Sequence, residues 1–236
     1  MIQLQDLNIG FGDRVLLDGV TCTIPAGKLT ALIGRNGTGK STLLRAIAGL
    51  NRHYSGTIAV NGHAISSMQP MQMARTLAFV TTERTRIAAL TCRDVVAVGR
   101  APYTNWIGRM QEQDHDIVMQ SLCAVGMEDY ALRTMDTMSD GECQRIMIAR
   151  ALAQDTPVIL LDEPTSFLDL PGRYELCALL ADLAHNRGKC ILFSTHELDI
   201  ARRTADSLAV IAPPGLTVTP PEQADTLIAN LFHIPV

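Results

Sequence analysis

The sequence lacks the features expected of a membrane-spanning, secreted or nucleic-acid-binding chain. Its 236 residues contain no uninterrupted apolar run of about 18, and the nearest approach, 87–99, is broken by Arg93 and Asp94. We therefore expect a chain that cannot span a membrane by itself. The net charge of −4 gives no basic excess of the kind that favours nucleic acid. The first residues alternate like a strand, which argues against a signal peptide.

Cysteine is present, but without the spacing of a metal or dithiol motif. The sequence contains no C-x-x-C pair. Scattered cysteines in such a chain predict small core residues in a reducing cytoplasm rather than disulfides or metal ligands. The six are Cys22, Cys92, Cys123, Cys143, Cys177 and Cys190.

The clearest chemical pattern is a phosphate-binding loop of the form G-x-x-x-x-G-K-[ST]. It lies between an apolar run at 29–33 and a helix-like segment at 43–48, which is the strand–loop–helix context that the motif requires. Successive backbone N–H groups and the positive end of a helix surround an anion there. Lys40 adds a cation, and the Ser41 hydroxyl suits a Mg²⁺ shell. The residues predicted to bind a nucleoside triphosphate are Gly34, Arg35, Asn36, Gly37, Thr38, Gly39, Lys40, Ser41 and Thr42.

Two carboxylates follow a near-continuous apolar run at 158–161. Runs of this kind, here and at 190–193, are typical of strands buried on both faces of a parallel sheet. We expect Asp162, at the end of its strand, to coordinate Mg²⁺ directly or through water. Side chains alternate along a strand, so Glu163 points elsewhere, where it can orient or deprotonate the attacking water. The plainer alternative is a strand end with two solvated acids.

Two further polar positions each have a structural and a functional interpretation. Ser139 and Glu142 open an amphipathic helix and fit a capping box, which explains both residues structurally. The functional interpretation is that the same exposed helix N-terminus binds a γ-phosphate presented by another subunit. His196, just beyond the second apolar run, is either a polar capping residue or a contact to the γ-phosphate or the catalytic water.

The remaining patterns predict the organisation of the chain. Residues 2–9 and 15–24 resemble strands, and 57–60 followed by Asn61-Gly62 resembles a hairpin arm. From about 84 to 155 the periodicity becomes helical. Proline pairs punctuate a short tail that ends in a helix near 224–232. These patterns predict a split nucleotide-binding core with a helical insertion.

The order of these motifs resembles that of ABC-transporter ATPase subunits, over essentially the whole chain. The resemblance rests on the P-loop, the signature Ser139-x-Gly141-Glu142, Asp162-Glu163, the 166–169 segment ending in Asp169, and His196. It implies an α/β fold with a P-loop NTPase (RecA-like) core, an N-terminal antiparallel β subdomain and an inserted α-helical subdomain. The implied single ABC ATPase domain, 1–236, divides into a nucleotide-binding core, 1–83 with 158–236, and a helical subdomain, 84–157.

The resemblance also implies a reaction and a set of partners. ATP and Mg²⁺ are the expected ligands, and two copies of the chain form a head-to-tail dimer that sandwiches two ATP molecules. In that dimer Ser139, Gly141 and Glu142 of one copy complete the site of the other, and Asp169 communicates between the sites. Phe11 matches the aromatic that stacks on adenine, although a plain strand-end aromatic is an alternative.

More locally, the segments at 98–108 and 167–171 resemble the ATPases of iron-chelate, haem and vitamin B12 importers. Integral-membrane permease subunits and, indirectly, an extracytoplasmic substrate-binding protein are then the implied partners, at the cytoplasmic face of the inner membrane, with no nucleic acid involved. Tyr103 and Trp106 either face a partner or close the helical subdomain. A soluble ABC ATPase of cofactor assembly or translation is the competing class, and the transported cargo is not readable from this chain.

Two positions depart from the family pattern. Where the family has a glutamine after the strand at 77–81, this chain has Thr82 and Glu83. A carboxylate is a good ligand for a hard cation, so we expect Glu83 to contribute to the Mg²⁺ site. Asp140 replaces a signature glycine, and an acid near a γ-phosphate would repel it. We expect its side chain to turn away and ATP-driven closure to be weaker.

Overall fold

The computed structural model describes residues 1–12, 14–83, 89–105 and 108–232, without the side chains of Phe11 and Asn230. Its strands are β1 Ile2–Phe11, β2 Arg14–Ile24, β3 Lys28–Ile33, β4 Tyr54–Val60, β5 His63–Ala64, β6 Leu77–Val80, β7 Val158–Leu161, β8 Cys190–Thr195, β9 Ser207–Ala212 and β10 Gly215–Thr219. Its helices are α1 Lys40–Ile47, α2 Pro70–Thr76, α3 Cys92–Ala97, α4 Glu112–Ala124, α5 Asp140–Ala153, α6 Leu170–Arg187, α7 Leu198–Thr204 and α8 Asp225–Phe232.

The N-terminal strands form a small antiparallel sheet with the order β2-β1-β4-β5. Alternate apolar residues of β1, such as Ile2 and Leu4, are buried in a core that also takes up one face of α1. This is the period-two pattern of strands with one covered face. The antiparallel subdomain predicted from the alternation at 2–9 and 15–24 is confirmed, and so is the hairpin after 57–60.

The central sheet has the order β10-β9-β3-β8-β7-β6. Strands β9, β3, β8, β7 and β6 run parallel, and β10 returns antiparallel on the outside. All residues of β7 and β8 are buried, as their continuous apolar runs predicted. Because β8 lies between β3 and β7, the loops that follow these three strands open at the same edge of the sheet, where ligands of open α/β sheets bind.

The tail differs from the sequence-based interpretation. It contains two strands that the sequence analysis did not assign: β9, which pairs with β3, and β10, which pairs with β9. The apolar run of β9 is of the same kind as those of β7 and β8, but its pairing with β3 depends on the fold of the whole chain. The predicted terminal helix is present as α8.

The helical unit of α3, α4 and α5 is joined to the central sheet by polar contacts. The Nε2 of Gln154 donates to the carbonyls of Ala74, at 2.6 Å, and Leu77, at 3.0 Å. The Tyr103 hydroxyl donates to the Gln154 carbonyl at 3.0 Å, and the guanidinium groups of Arg75 and Arg100 lie over its ring. Tyr103 therefore lies between the end of α5 and Arg75 of α2, the helix that leads into β6. Trp106, the other aromatic of that prediction, lies outside the described residues.

The cysteines mostly follow the prediction. All six are free, and Cys92, Cys143, Cys177 and Cys190 are buried. The prediction of a core position is wrong for Cys123, which is exposed on α4. Within the described part of the chain, no helix is both long enough and apolar enough to cross a membrane.

Candidate active site

The P-loop connects β3 to α1, and two of its glycines, Gly34 and Gly39, are packed too closely to carry a side chain. A Cβ on Gly34 would lie 2.7 Å from the Thr38 Oγ1 and 3.0 Å from the Ile211 carbonyl. Gly39 has φ 101°, a left-handed conformation in which a side chain is strained, and a Cβ there would meet Leu16 at 3.1 Å. The glycines at 34 and 39 are therefore required by the packing of the loop, and the binding of a phosphate by its backbone N–H groups stays a prediction.

Lys40 is buried, with 6% of its surface exposed, although it is the first residue of α1. Its Nζ donates to the Gly34 carbonyl at 2.8 Å and to the Arg35 carbonyl at 3.4 Å. Burial lowers the pKa of Lys40, and the nearby carboxylates of Glu163 and Asp162 oppose that shift. The ammonium group thus binds two carbonyls at the start of the P-loop and lies near the two acids.

A cavity of about 470 Å³ opens above the P-loop. Its volume lies within the range of small-molecule sites. Its lining consists of Arg14, Leu16, Glu163 and the P-loop residues Asn36, Gly37, Gly39, Lys40, Ser41 and Thr42. The Arg14 guanidinium donates to the Gly37 carbonyl at 2.8 Å, which ties β2 to the loop. No sequence pattern predicts this contact, because the two residues are 23 positions apart and meet only in the folded chain.

Asp162 is 3% exposed and lies beside Ser41. Its Oδ1 accepts from the Ser41 hydroxyl at 3.0 Å and from the Ser194 hydroxyl at 2.7 Å. The Thr82 hydroxyl donates to the Asp162 backbone carbonyl at 3.1 Å. A carboxylate and a hydroxyl at this separation are hard oxygen donors of the kind that Mg²⁺ prefers, so the donor set fits that ion.

Glu163 and His196 lie together at the same edge of the sheet. The Oε2 of Glu163 is 3.5 Å from the Nδ1 of His196 and accepts from the Ser166 hydroxyl at 3.1 Å. The His196 side chain is half exposed, whereas the Glu163 side chain is 25% exposed. Glu163 also lines the cavity. The structure brings a carboxylate and an imidazole together beside the cavity, and their roles toward the attacking water and the γ-phosphate stay predictions.

The signature residues lie on α5. Ser139 is the N-cap, and its N–H and hydroxyl donate to the Glu142 Oε2 at 2.7 and 2.8 Å, while the Glu142 N–H donates to the Ser139 Oγ at 3.3 Å. The capping box is therefore confirmed. These hydrogen bonds lower the pKa of Glu142, so the stability they contribute is present at neutral pH and is lost as acid protonates the carboxylate.

The start of α5 packs on the segment around Phe167, which follows Asp162 and Glu163 in the chain. A Cβ on Gly141 would lie 2.9 Å from the Phe167 carbonyl, so this position has no room for a side chain. Two residues later, Asp169 caps α6 by accepting from the Gly172 N–H at 3.2 Å. The signature helix and the Asp169 turn are thus packed as one unit.

Two predicted residues have positions that leave their roles as predictions. The Oε1 of Glu83 lies 2.8 Å from a guanidinium nitrogen of Arg45, and both side chains are largely exposed. Arg45 is four residues after Ser41 on α1 and therefore lies on the same helix face. Phe11 ends β1 opposite Arg14, and its side chain lies outside what the structure describes.

Comparison with known proteins gives concordant matches. Residues 17–166 match a family model described as ABC transporter. The chain is 39% identical over 202 residues to the iron(3+)-hydroxamate import ATP-binding protein FhuC of Bacillus subtilis, covering 86% of this chain and 75% of the relative. It is 38% identical over 228 residues to the hemin import ATP-binding protein HmuV of Nocardia farcinica, covering 94% and 77%.

Solved structures match over nearly the whole length. A metal-chelate type ABC transporter in an inward-facing conformation aligns with a TM-score of 0.86 at 27% identity, covering 99% of this chain and 89% of that one. A dimeric bacterial ABC transporter cassette aligns with a TM-score of 0.83 at 24% identity, covering 93% and 98%. The second likeness shows the fold alone.

Proposed function

Since the chain belongs to the ABC transporter family and is an ATP-binding ATPase subunit, we propose that it powers a membrane importer for an iron chelate, haem or cobalamin. The observation that supports the proposal best is the convergence of Lys40, Ser41, Asp162, Glu163 and His196 at one edge of the central sheet. One helix and two strands position them: Lys40 and Ser41 begin α1, the two acids follow β7, and His196 follows β8. Lys40, Ser41 and Glu163 line the cavity of about 470 Å³.

Binding of ATP follows from the P-loop geometry. The backbone N–H groups of the loop and the N-terminus of α1 suit the β- and γ-phosphates. Lys40 brings a positive charge to the same oxygens, and Arg14 supports the loop from outside through the Gly37 carbonyl. Phe11, at the end of β1, is proposed to contact the adenine ring.

A magnesium ion is proposed to be held by Ser41 and Asp162. When bound, it would neutralise charge on the phosphate oxygens. Asp162 keeps a hydrogen bond from Ser194 that does not involve Ser41. Glu83 contacts Arg45, which lies one turn of α1 after Ser41. It remains a proposed additional ligand.

Hydrolysis requires a base and a group that recognises the γ-phosphate. We assign the base to Glu163, which orients or deprotonates the attacking water. His196, 3.5 Å from that carboxylate, is half exposed and free to donate to a phosphate oxygen. Ser166 donates to the Glu163 Oε2 and restrains the carboxylate without neutralising it.

The site becomes complete only in a head-to-tail dimer of two copies. Ser139, Gly141 and Glu142 lie at the exposed start of α5, where a helix N-terminus favours an anion supplied from outside the chain. The γ-phosphate on the P-loop of the second copy is that anion. Asp169, packed with the same unit, is proposed to relay closure from one site to the other.

Replacing Asp140 by glycine is expected to strengthen ATP-driven closure. The carboxylate is in the first turn of α5 and raises the cost of bringing a phosphate there, by an amount set by the local dielectric. We expect half-maximal ATP-dependent dimerisation at an ATP concentration several-fold lower, measured by light scattering, and faster basal hydrolysis. Asp136→Gly, which removes a nearby acid outside the helix, is the control. Unchanged dimerisation would mean that the aspartate is harmless.

A second cavity offers a docking surface for the permease. It measures about 760 Å³ and lies between the end of α1, β4 and α2, beside Gln154, which joins the sheet to the helical unit. Leu50 on its lining is 68% exposed, and Met71 on α2 is 53% exposed. Exposed apolar side chains around a groove indicate an interaction site, and an apolar helix of a membrane subunit is the occupant that an import system supplies.

Co-expression with the permease subunits and uptake into proteoliposomes tests the function. We expect the wild-type chain to copurify with the permease and to drive ATP-dependent uptake of one cargo among a ferric siderophore, haem and cobalamin. Leu50→Glu should abolish copurification while leaving ATP binding intact, because it places a charge in the apolar groove. Leu132→Glu, at a position 72% exposed, is the matched control.

The outcomes separate the importer from the competing class. An ATPase that neither copurifies with a permease nor drives uptake of the three cargoes would favour a soluble ABC ATPase. If both glutamate variants lose copurification equally, the groove is not the docking surface. That result would not contradict the proposal that the chain powers an importer.

A further inference from the structure

Ser194 is a buried hydroxyl at the end of β8 that the motif analysis did not single out. It is 0% exposed. Strands β7 and β8 are in register with Leu161 opposite Phe193, so the next residues along, Asp162 and Ser194, are neighbours. Because β8 also pairs with β3, Ser194 lies between the strand that leads to the P-loop and the strand that carries the acids.

The hydroxyl makes one hydrogen bond as a donor and one as an acceptor. It donates to the Asp162 Oδ1 at 2.7 Å, and it accepts from the Glu163 N–H at 2.8 Å. A serine hydroxyl has one proton to give, so these two contacts define the direction of that proton. The Oδ1 of Asp162 also accepts from Ser41, the residue that carries the other metal-binding oxygen.

The acceptor contact falls at a strained point of the backbone. Glu163 has φ 47°, a left-handed conformation that costs free energy for a residue with a side chain. Such a conformation persists when surrounding contacts hold it, and the Ser194 oxygen is one contact to the N–H of that residue. The left-handed turn directs the Glu163 side chain to the cavity, which it lines.

We propose that Ser194 is a positioning residue for ATP hydrolysis, which sets both the Asp162 carboxylate and the backbone of Glu163 with a single hydroxyl group. It touches neither nucleotide nor water in this role. The inference rests on the proposed functions of Asp162 in holding Mg²⁺ and of Glu163 as the base. In this proposal the Ser194 side chain sets the position of Asp162 relative to Glu163, and the reaction needs both acids in place.

Ser194→Ala tests the role through the metal dependence of nucleotide binding. We expect the Mg²⁺ concentration for half-maximal binding of a fluorescent ATP analogue to rise about ten-fold, as is usual when a partner of a metal ligand is removed. Binding in EDTA should be unchanged, because the P-loop contacts remain. The turnover number should fall while the KM for ATP at saturating Mg²⁺ changes little.

Two variants separate positioning from structural support. Thr30→Val removes another buried hydroxyl on neighbouring β3, one that has no hydrogen-bond partner, and should leave all these values unchanged. Ser194→Thr keeps the hydroxyl and should retain the wild-type Mg²⁺ midpoint. If the alanine variant does not fold, Ser194→Cys has a similar volume and only a weak donor, and the same shift is expected.

Three results would overturn the inference: an unchanged Mg²⁺ midpoint in Ser194→Ala, an equal loss of binding with and without Mg²⁺, or a threonine variant as impaired as alanine. A wild-type chain whose nucleotide binding did not respond to Mg²⁺ would instead contradict the proposed metal site. The two failures are therefore distinguishable.

Discussion

Replacing Glu163 by glutamine is expected to lower the ATP turnover number by about 10²- to 10⁴-fold, the usual contribution of a positioned general base. Glutamine has the shape of glutamate and can still accept from the Ser166 hydroxyl, but it does not take a proton from water. The P-loop contacts of Lys40 do not involve Glu163 and remain intact. ATP should therefore bind and not be consumed.

The same substitution is expected to trap the ATP-bound dimer. In the proposed cycle, closure depends on ATP binding and opening depends on hydrolysis, so a chain that binds without hydrolysing accumulates in the closed state. Light scattering after gel filtration should show a dimer with ATP and a monomer with ADP. Phosphate release in a single turnover measures the lost chemistry.

Glu175→Gln is the matched control for this prediction. Glu175 is 65% exposed on α6 and paired with Arg145, away from the cavity, so its substitution should leave turnover within about two-fold of wild type. A Glu163→Gln variant that retained wild-type turnover would remove Glu163 from the role of base and direct attention to His196.

Replacing Lys40 by methionine is expected to weaken ATP binding by about 100-fold or more. The substitution keeps much of the side-chain volume but removes the cation that faces the phosphates, and charge-assisted contacts are among the strongest in such sites. It also removes the donor for the Gly34 carbonyl, at 2.8 Å, so the loop loses an internal restraint. Calorimetric titration with ATP measures the affinity, and thermal unfolding reports on the fold.

Lys28→Met separates the local effect from the change in net charge. Lys28 begins β3, the strand that leads to the P-loop, and is exposed. The Lys28→Met variant should bind ATP with the affinity of the wild type. Equal weakening in both variants would show that overall charge rather than the P-loop cation governs affinity.

The sequence was informative wherever a function resides in a short contiguous segment. The P-loop is such a segment, since its N–H groups, its lysine and its hydroxyl follow one another along the chain. The capping box of Ser139 and Glu142 spans four residues and was predictable for the same reason. The all-buried strands β7 and β8 were predictable because their apolar runs have no other favourable location.

The sequence was uninformative where the environment of a residue depends on segments far away along the chain. The strand β9 has a short apolar sequence, and its pairing with β3 depends on a chain crossover that no local period encodes. Cys123 has the same side chain as the buried cysteines, yet α4 turns it to solvent.

The P-loop pattern by itself determined that this protein binds a nucleoside triphosphate, and the order of its motifs indicated the family. Only the tertiary structure decided how the two acids are held. Ser41 and Asp162 are 121 positions apart, and Ser194 is 32 beyond Asp162, so their hydrogen bonds exist only because β3, β8 and β7 are adjacent and in register. Sequence patterns report contacts that the local backbone makes, whereas these contacts are made by strand pairing across the whole chain.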